Sequence, residues 1–349
     1  MVALYLRGLK RAAPVAARSW PHVLDALRAR CLSKENVVSG LAQAGFCLES
    51  YVLQDQKLWR EAEILVRGSE ALTVASGSYP YRWIEMLGDS APPALWWNGV
   101  PMPVVGDSGL MGGWRGFGIV GSRDCTRAEL RWVGEVARES VRLGHVVVSG
   151  GARGCDRAAV LSALVEGKFQ ASQSGGDGSN RGSVTIEILP CGISSHARGW
   201  AGLISRAQSK QIRERCCQFS LEPPDAEFSV SAAKERNRLI YCLSGHTLVG
   251  AARFRIGGTW DGATQALRFR WSRILVPSES PSNVPLKLSA PGPSWNRALQ
   301  ALGAIVLESP RHLESALRAP ETQGAFAYEI QVPSGPPCSR INPPISQSA

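Results

Sequence analysis

The chain has 349 residues, of which 44% are hydrophobic and 19% charged, and its 39 Lys and Arg against 29 Asp and Glu give a formal charge of +10. That apolar content allows a sizeable core, and no run approaches about 18 uninterrupted apolar residues, which excludes a membrane-spanning helix from the reading. The positive excess is mostly arginine, whose planar fork of donors suits phosphate, although a generally basic surface gives the same balance.

In chain order, MVALYLRGLKRAA places Arg7, Lys10 and Arg11 after its apolar residues, the reverse of a secretory signal. Residues 1–77 read as a small helical domain, in which LWREAEILV (58–66) sets Leu58, Ala62 and Leu65 on one face. A second domain follows over 78–319. It opens with a bridge, 78–101, where Pro92 and Pro93 break any helix and Trp96 and Trp97 anchor the segment by core packing rather than by stacking on bases. Apolar runs at 116–121, 145–150, 183–190, 246–252 and 272–278 predict strands. Helices are predicted at 129–144, 157–167, 202–219, 236–245 and 263–271. Strands and helices alternate, and the strands are continuous apolar runs. The fold class is therefore α/β, with a mostly parallel sheet covered by helices on both faces. A Ser/Gly-rich stretch at 167–183 reads as a mobile loop, and the Pro/Ser-rich residues 320–349 read as a flexible tail.

Three glycine-rich turns follow predicted strands. In FGIVGSR, Gly121 permits close approach of backbone to ligand, Ser122 offers a hydroxyl and Arg123 a guanidinium; Thr126 and Glu129 form a capping pair for the next helix. In SGGARGCD, Gly150, Gly151 and Gly154 keep side chains clear of a helix N-terminus able to hold an anion, Arg153 adds charge, and Asp156 either caps the helix or accepts from a sugar or base. In RIGGTWDGA, Gly257, Gly258 and Thr259 extend the same crevice. KERNRLI places Lys234, Arg236 and Arg238, with Asn237, at the expected start of a helix, where arginine opposes the helix dipole; that favours a bound anion, against pairing with Glu235, Asp225 or Glu227. Neither a GxGxxG fingerprint nor a GK[ST] P-loop is present, so no nucleotide cofactor is expected.

Catalytic and metal chemistry have little support. The nine cysteines contain no CxxC, and the vicinal Cys216-Cys217 lacks a second pair, so no zinc site is expected. The odd count points to reduced thiols and a cytoplasmic location, with a redox-sensitive Cys216-Cys217 as the minor alternative. His145, His196 and His246 stand beside no nucleophile pattern, and Glu187 reads as a buried strand residue paired with an arginine.

Taken in order, the YP pair at 79–80, DSAPPALWWNG, GIVGSR, SGGARGCDRAA, ERNRLIYCLSG, GGTWDGATQAL and the segment 291–317 resemble the bacterial DNA-processing protein A family, also called Smf. The resemblance covers about 78–317. It implies an extended Rossmann-like domain that binds single-stranded DNA in DNA recombination and natural transformation, loads a RecA-type recombinase and forms a homodimer, with no established catalysis. By motif it assigns phosphate to Ser122, Arg123 and the 150–154 loop, with Arg236, Asn237 and Arg238 lining the same crevice. The superfamily shared with cytokinin-activating phosphoribohydrolases keeps a second reading open. That alternative is a nucleotide-binding enzyme or sensor, in a defence or mobile-element system. The chain departs from the family at Val160, at Cys191–Arg198 and at Leu221-Glu222, and the terminal winged helix that many members carry is not expected from its residues.

Overall fold

The computed structural model describes residues 70–73, 79–92, 94–100, 102, 115–173, 184–200, 210, 212, 214–278 and 294–319. The expected helices before residue 70, most of the 167–183 loop, residues 202–209 of one predicted helix and the tail at 320–349 lie outside the described residues.

Among the described residues nine strands form one sheet: β1 (Glu70–Thr73), β2 (Ala94–Gly99), β3 (Gly116–Val120), β4 (Val146–Ser149), β5 (Thr185–Leu189), β6 (Cys216–Ser220), β7 (His246–Val249), β8 (Arg273–Pro277) and β9 (Ile305–Leu307). Their order across the sheet is β1-β2-β6-β5-β4-β3-β7-β8-β9. All pairs from β6 to β9 are parallel, while β2 runs antiparallel to both β1 and β6. Between them the chain forms α1 (Tyr81–Leu87), α2 (Arg127–Arg142), α3 (Cys155–Gln173), α4 (Ile193–Trp200), α5 (Val230–Leu243), α6 (Gly257–Phe269), α7 (Trp295–Ala301) and α8 (Leu313–Arg318).

Each face of the sheet carries its own core. On one side Phe117, Ile119, Val147, Leu248, Leu275 and Leu307 pack against Val133, Val136 and Ala137 of α2, Ala159 and Ala163 of α3, and Leu313 of α8. On the other, Val120, Val148, Ile186, Val249, Ile274 and Val276 meet Trp83 of α1, Leu239 and Ile240 of α5, Ala263 and Ala266 of α6, and Trp295 of α7. Neighbouring residues of β3, β4, β7 and β8 supply opposite cores, as the two-residue strand period requires when both faces are covered. The mostly parallel sheet with helices on both faces is the architecture expected.

Two departures stand out. The run Cys216–Phe219, expected to end a helix, is strand β6, with Cys216, Cys217 and Phe219 buried. A short run buried on both faces has no amphipathic period to separate helix from strand. The bridge at 78–101 also holds regular structure. Its helix α1 is tied down by Trp83, whose Nε1 donates to the Leu239 carbonyl at 2.9 Å and whose ring lies edge-on to Tyr79 and Phe219. Its strand β2 buries Trp96, and Trp97 packs against the same core. The core role expected of the two tryptophans therefore holds.

Candidate functional site

The parallel strands β6, β5, β4 and β3 succeed one another in reverse, and β7, β8 and β9 continue from the other side of β3. Connections therefore leave β3 and β7 in opposite directions and open a crevice at their carboxyl ends, where ligands of open α/β sheets bind. A cavity of about 400 Å³ occupies this place. The loop after β3 lines it with Gly121, Ser122, Arg123 and Asp124, and the segment after β7 with Ala252, Arg253 and Ile256. The opening turn of α6 adds Gly257, Gly258 and Thr259, and α3 adds Asp156. From α5 come Val230, Ala233, Lys234, Arg236, Asn237 and Tyr241, and Phe228 stands just before that helix.

Helices α3, α5 and α6 all begin at this cavity. Their free N–H groups and dipoles favour negative charge there. Four cationic side chains, Arg123, Lys234, Arg236 and Arg253, line it against two acidic ones, Asp124 and Asp156. Arg123, Lys234 and Arg253 are exposed. The Arg123 guanidinium lies 5.1 Å from the centre of the Phe228 ring. Asp124 takes Arg153 at 3.3 Å and Arg253 at 3.7 Å, which links the loops after β3, β4 and β7 through exposed, weak pairs.

Arg236 is different. It is 5% exposed and its Nη1 donates to Asp156 Oδ2 at 3.3 Å, with Asp156 3% exposed. Burial raises the Asp156 pKa above the ordinary carboxylate value, against the pull of Arg236 and the backbone N–H groups of Ala152 and Gly121. The pair is a desolvated strut between α3 and α5. Gly150 exists for it, since a Cβ there would stand 1.5 Å from Arg236 Nη1. Gly154, at φ +84°, is likewise closed in, 2.3 Å from the Ser122 carbonyl oxygen to a notional Cβ.

The expected start of the RNR helix moves. Helix α5 begins at Val230, with Ser229 Oγ accepting from the Ala232 N–H. Arg236, Asn237 and Arg238 therefore sit in its second and third turns, where the dipole argument has no force. Asn237 Nδ2 donates to the Gly258 carbonyl at 3.3 Å and joins α5 to α6. Arg238 points away from the cavity, to the Ser90 carbonyl at 3.2 Å and to Glu235.

Of the expected residues, the cavity brings together Gly121, Ser122, Arg123, Asp156, Arg236, Asn237, Gly257, Gly258 and Thr259. Gly150, Gly151, Arg153, Gly154 and Arg238 are outside its lining. Lys234, part of the same basic KERNRLI run, also lines it, and Asp124, Arg253, Phe228 and Tyr241 join it without having been singled out. Tyr241 was readable once α5 had its true start: 230, 233, 234, 237 and 241 fall on one helical face. The capping pair is as expected, with Glu129 N–H on Thr126 Oγ1 at 3.2 Å and Thr126 N–H on Glu129 Oε2 at 2.7 Å.

Glu187 meets a histidine, not an arginine. His196 Nε2 lies 3.6 Å from Glu187 Oε2, which also accepts from Gln218 Nε2 at 2.7 Å. Burial opposes charge on both groups, yet the pair overcomes it. Contacts with Cys191 and Glu187 lift the His196 pKa to about 9, and contacts with His196, Gln218 and Cys216 hold Glu187 below the ordinary value. Among the described residues no group of His, Cys, Asp and Glu suits a metal ion, and no helix is long and apolar enough to cross a membrane.

Comparison with known proteins agrees with this architecture. The family model for DNA recombination-mediator protein A matches residues 70–285. Among solved structures, the chain is similar to DNA processing protein A (DprA) from Streptococcus pneumoniae, with 19% identity, a TM-score of 0.61 and coverage of 90% of this chain and 98% of that one. DNA processing protein A from Helicobacter pylori, described for its single-stranded DNA binding mode, is 19% identical with a TM-score of 0.48, over 72% of this chain and 95% of that one. No curated protein sequence matches.

Proposed function

The chain belongs to the DNA recombination-mediator protein A family, and on that premise we propose that it binds single-stranded DNA by its phosphate backbone in the cavity at the β3/β7 switch. The observation that carries this reading is the convergence of three helix N-termini with exposed Arg123, Lys234 and Arg253 on one open cavity. Thr259 adds a hydroxyl donor and the N–H groups opening α6 add backbone donors, while Ser122 Oγ, which donates to the Asp124 carbonyl at 3.3 Å, shapes the loop. Such groups hold phosphates without reading sequence. Phe228, 47% exposed beside Arg123, offers a ring face to a base. The role is that of an accessory protein in DNA recombination, with a RecA-type recombinase as partner and a homodimer as the working form.

Fluorescence anisotropy of the full chain with labelled oligo-dT and a matching duplex, across a salt series, tests the reading. The expected result is preference for the single strand with an affinity that falls steeply as salt rises. Affinity that stays flat from low to moderate salt, or no binding to either strand, overturns it.

A further inference from the structure

Beneath the Ser122 loop two thiols from distant segments meet. Cys125 Sγ, just before α2, lies 3.4 Å from Cys155 Sγ, the first residue of α3. The same peptide unit that borders the cavity ties both down: the Ser122 carbonyl accepts from Cys125 Sγ at 3.1 Å and from the Cys155 N–H at 3.3 Å. Cys125 is half-buried and Cys155 wholly buried, so Cys125 is the residue of the two that solvent reaches.

The two thiols also differ in reactivity. The hydrogen bond from Cys155 holds the Cys125 pKa below the ordinary thiol value. The same contact, and then burial, push Cys155 well above it. The thiolate is the nucleophile in oxidation, so attack begins at Cys125. Cys216 and Cys217 are wholly buried and burial pushes their thiols up, which removes the vicinal pair as a competing site.

We propose that Cys125 and Cys155 form a thiol-oxidation site at which a hydroperoxide generates an intramolecular disulfide, and that this bond weakens ligand binding in the adjoining cavity. The Cys125 sulfur attacks the hydroperoxide and the O–O bond breaks. The sulfur keeps one oxygen as a sulfenic acid, and the other leaves as an alcohol with the Cys125 proton. Cys155 then attacks the Cys125 sulfur, the S–O bond breaks, and hydroxide leaves with the Cys155 proton as water. Two thiols lose two electrons to the hydroperoxide, which is reduced to alcohol and water. Bond formation closes the sulfurs from 3.4 Å to about 2.05 Å. It also removes the Cys125 hydrogen from the Ser122 carbonyl, so the peptide beside Arg123 shifts. The disulfide stands on the thiol geometry alone; its effect on binding rests on the single-stranded DNA reading.

The test treats the full chain with hydrogen peroxide, blocks remaining thiols, and maps the peptides. The expected product is a Cys125–Cys155 linked peptide. Oligo-dT affinity should fall about threefold, the loss of part of one charge-assisted contact, and return with dithiothreitol. Cys125→Ser should form no linked peptide and keep its reduced-state affinity in peroxide; Cys125 is partly exposed, and circular dichroism checks that the variant is folded. Peroxide that leaves the two unlinked, or links either one elsewhere, overturns the site. A linked protein whose affinity equals that of the reduced form overturns the effect on binding. A reduced protein that ignores oligo-dT defeats the DNA reading, and the linked peptide still decides the site.

Discussion

Arg236 illustrates how far a residue's neighbours can redirect its chemistry. Its guanidinium looks like a phosphate clamp in sequence, but it is desolvated against Asp156 and its charge is already matched. Nothing in the sequence links residues 80 positions apart, so the strut was illegible where the basic motif was plain. Gly150→Ala should prove the point, because its Cβ would occupy the Arg236 guanidinium. Displacing one partner of a buried pair costs about 3–5 kcal/mol, and urea unfolding should register a loss of that size. A second residue-scale prediction concerns His196. Its folded pKa of about 9 exceeds the unfolded value of about 6.5. The native state thus holds a proton that the unfolded chain releases. The pair's contribution is complete below about pH 6.5 and fades as pH rises through about 9, a decline of about 3 kcal/mol by linkage. Glu187, held low, works on the other side: its contribution is present above the ordinary carboxylate value and is lost as pH falls through its depressed folded value. Urea midpoints from pH 6 to 9.5 should therefore fall, and His196→Gln should flatten the slope. A wild-type midpoint that stays level over that range contradicts the assignment.

At the scale of elements, the legible parts were those with strong local signals. Strands β3, β4, β5, β7 and β8 carry apolar runs ended by glycine, proline or polar turns, and each lies within the range expected for it. Strand β6 and the start of α5 were misread for physical reasons. Cys216–Phe219 is buried on both faces, and the cap that starts α5 is Ser229, seven residues before Arg236, where the sequence around it is polar enough to pass for a loop. The corrected register divides the basic motif between two faces of one helix. Lys234 faces the cavity; Arg238 binds Ser90 and Glu235 on another face. Their alanine variants should part accordingly. Lys234→Ala should weaken oligo-dT binding for all sequences alike and leave the thermal midpoint unmoved, since an exposed lysine holds little of the fold. Arg238→Ala should lower the midpoint through its lost contact with the 88–90 turn and leave the salt dependence of binding intact. Equal effects of the two on binding would mean that α5 presents another face to the strand.

For the whole molecule the decisive fact is strand order, which no local pattern encodes. Alternating strands and helices announce a parallel sheet, but only the pairing of β3 with both β4 and β7 creates the switch and the crevice above it. That topology draws Arg123 from the loop after β3, Lys234 from α5 and Arg253 from the segment after β7 onto one cavity. A polymer and a single nucleotide would use these cations differently. A strand crossing the cavity presents several phosphates, so each cation neutralises its own and releases its own counterion. Replacing any one with alanine should then lower the slope of log K against log salt by about 0.7, and replacing all three by about 2. A ligand with one phosphate would gather the three cations around a single group. Its binding would have a shallow slope from the outset, and the first substitution would remove most of the affinity. Titrations of the three single variants and the triple variant with oligo-dT, beside a nucleoside monophosphate, separate these cases. Near-additive slopes with oligo-dT support a strand threaded over the switch, whereas loss of all affinity on one substitution, with the monophosphate bound as tightly as the oligomer, would return the cavity to a small nucleotide.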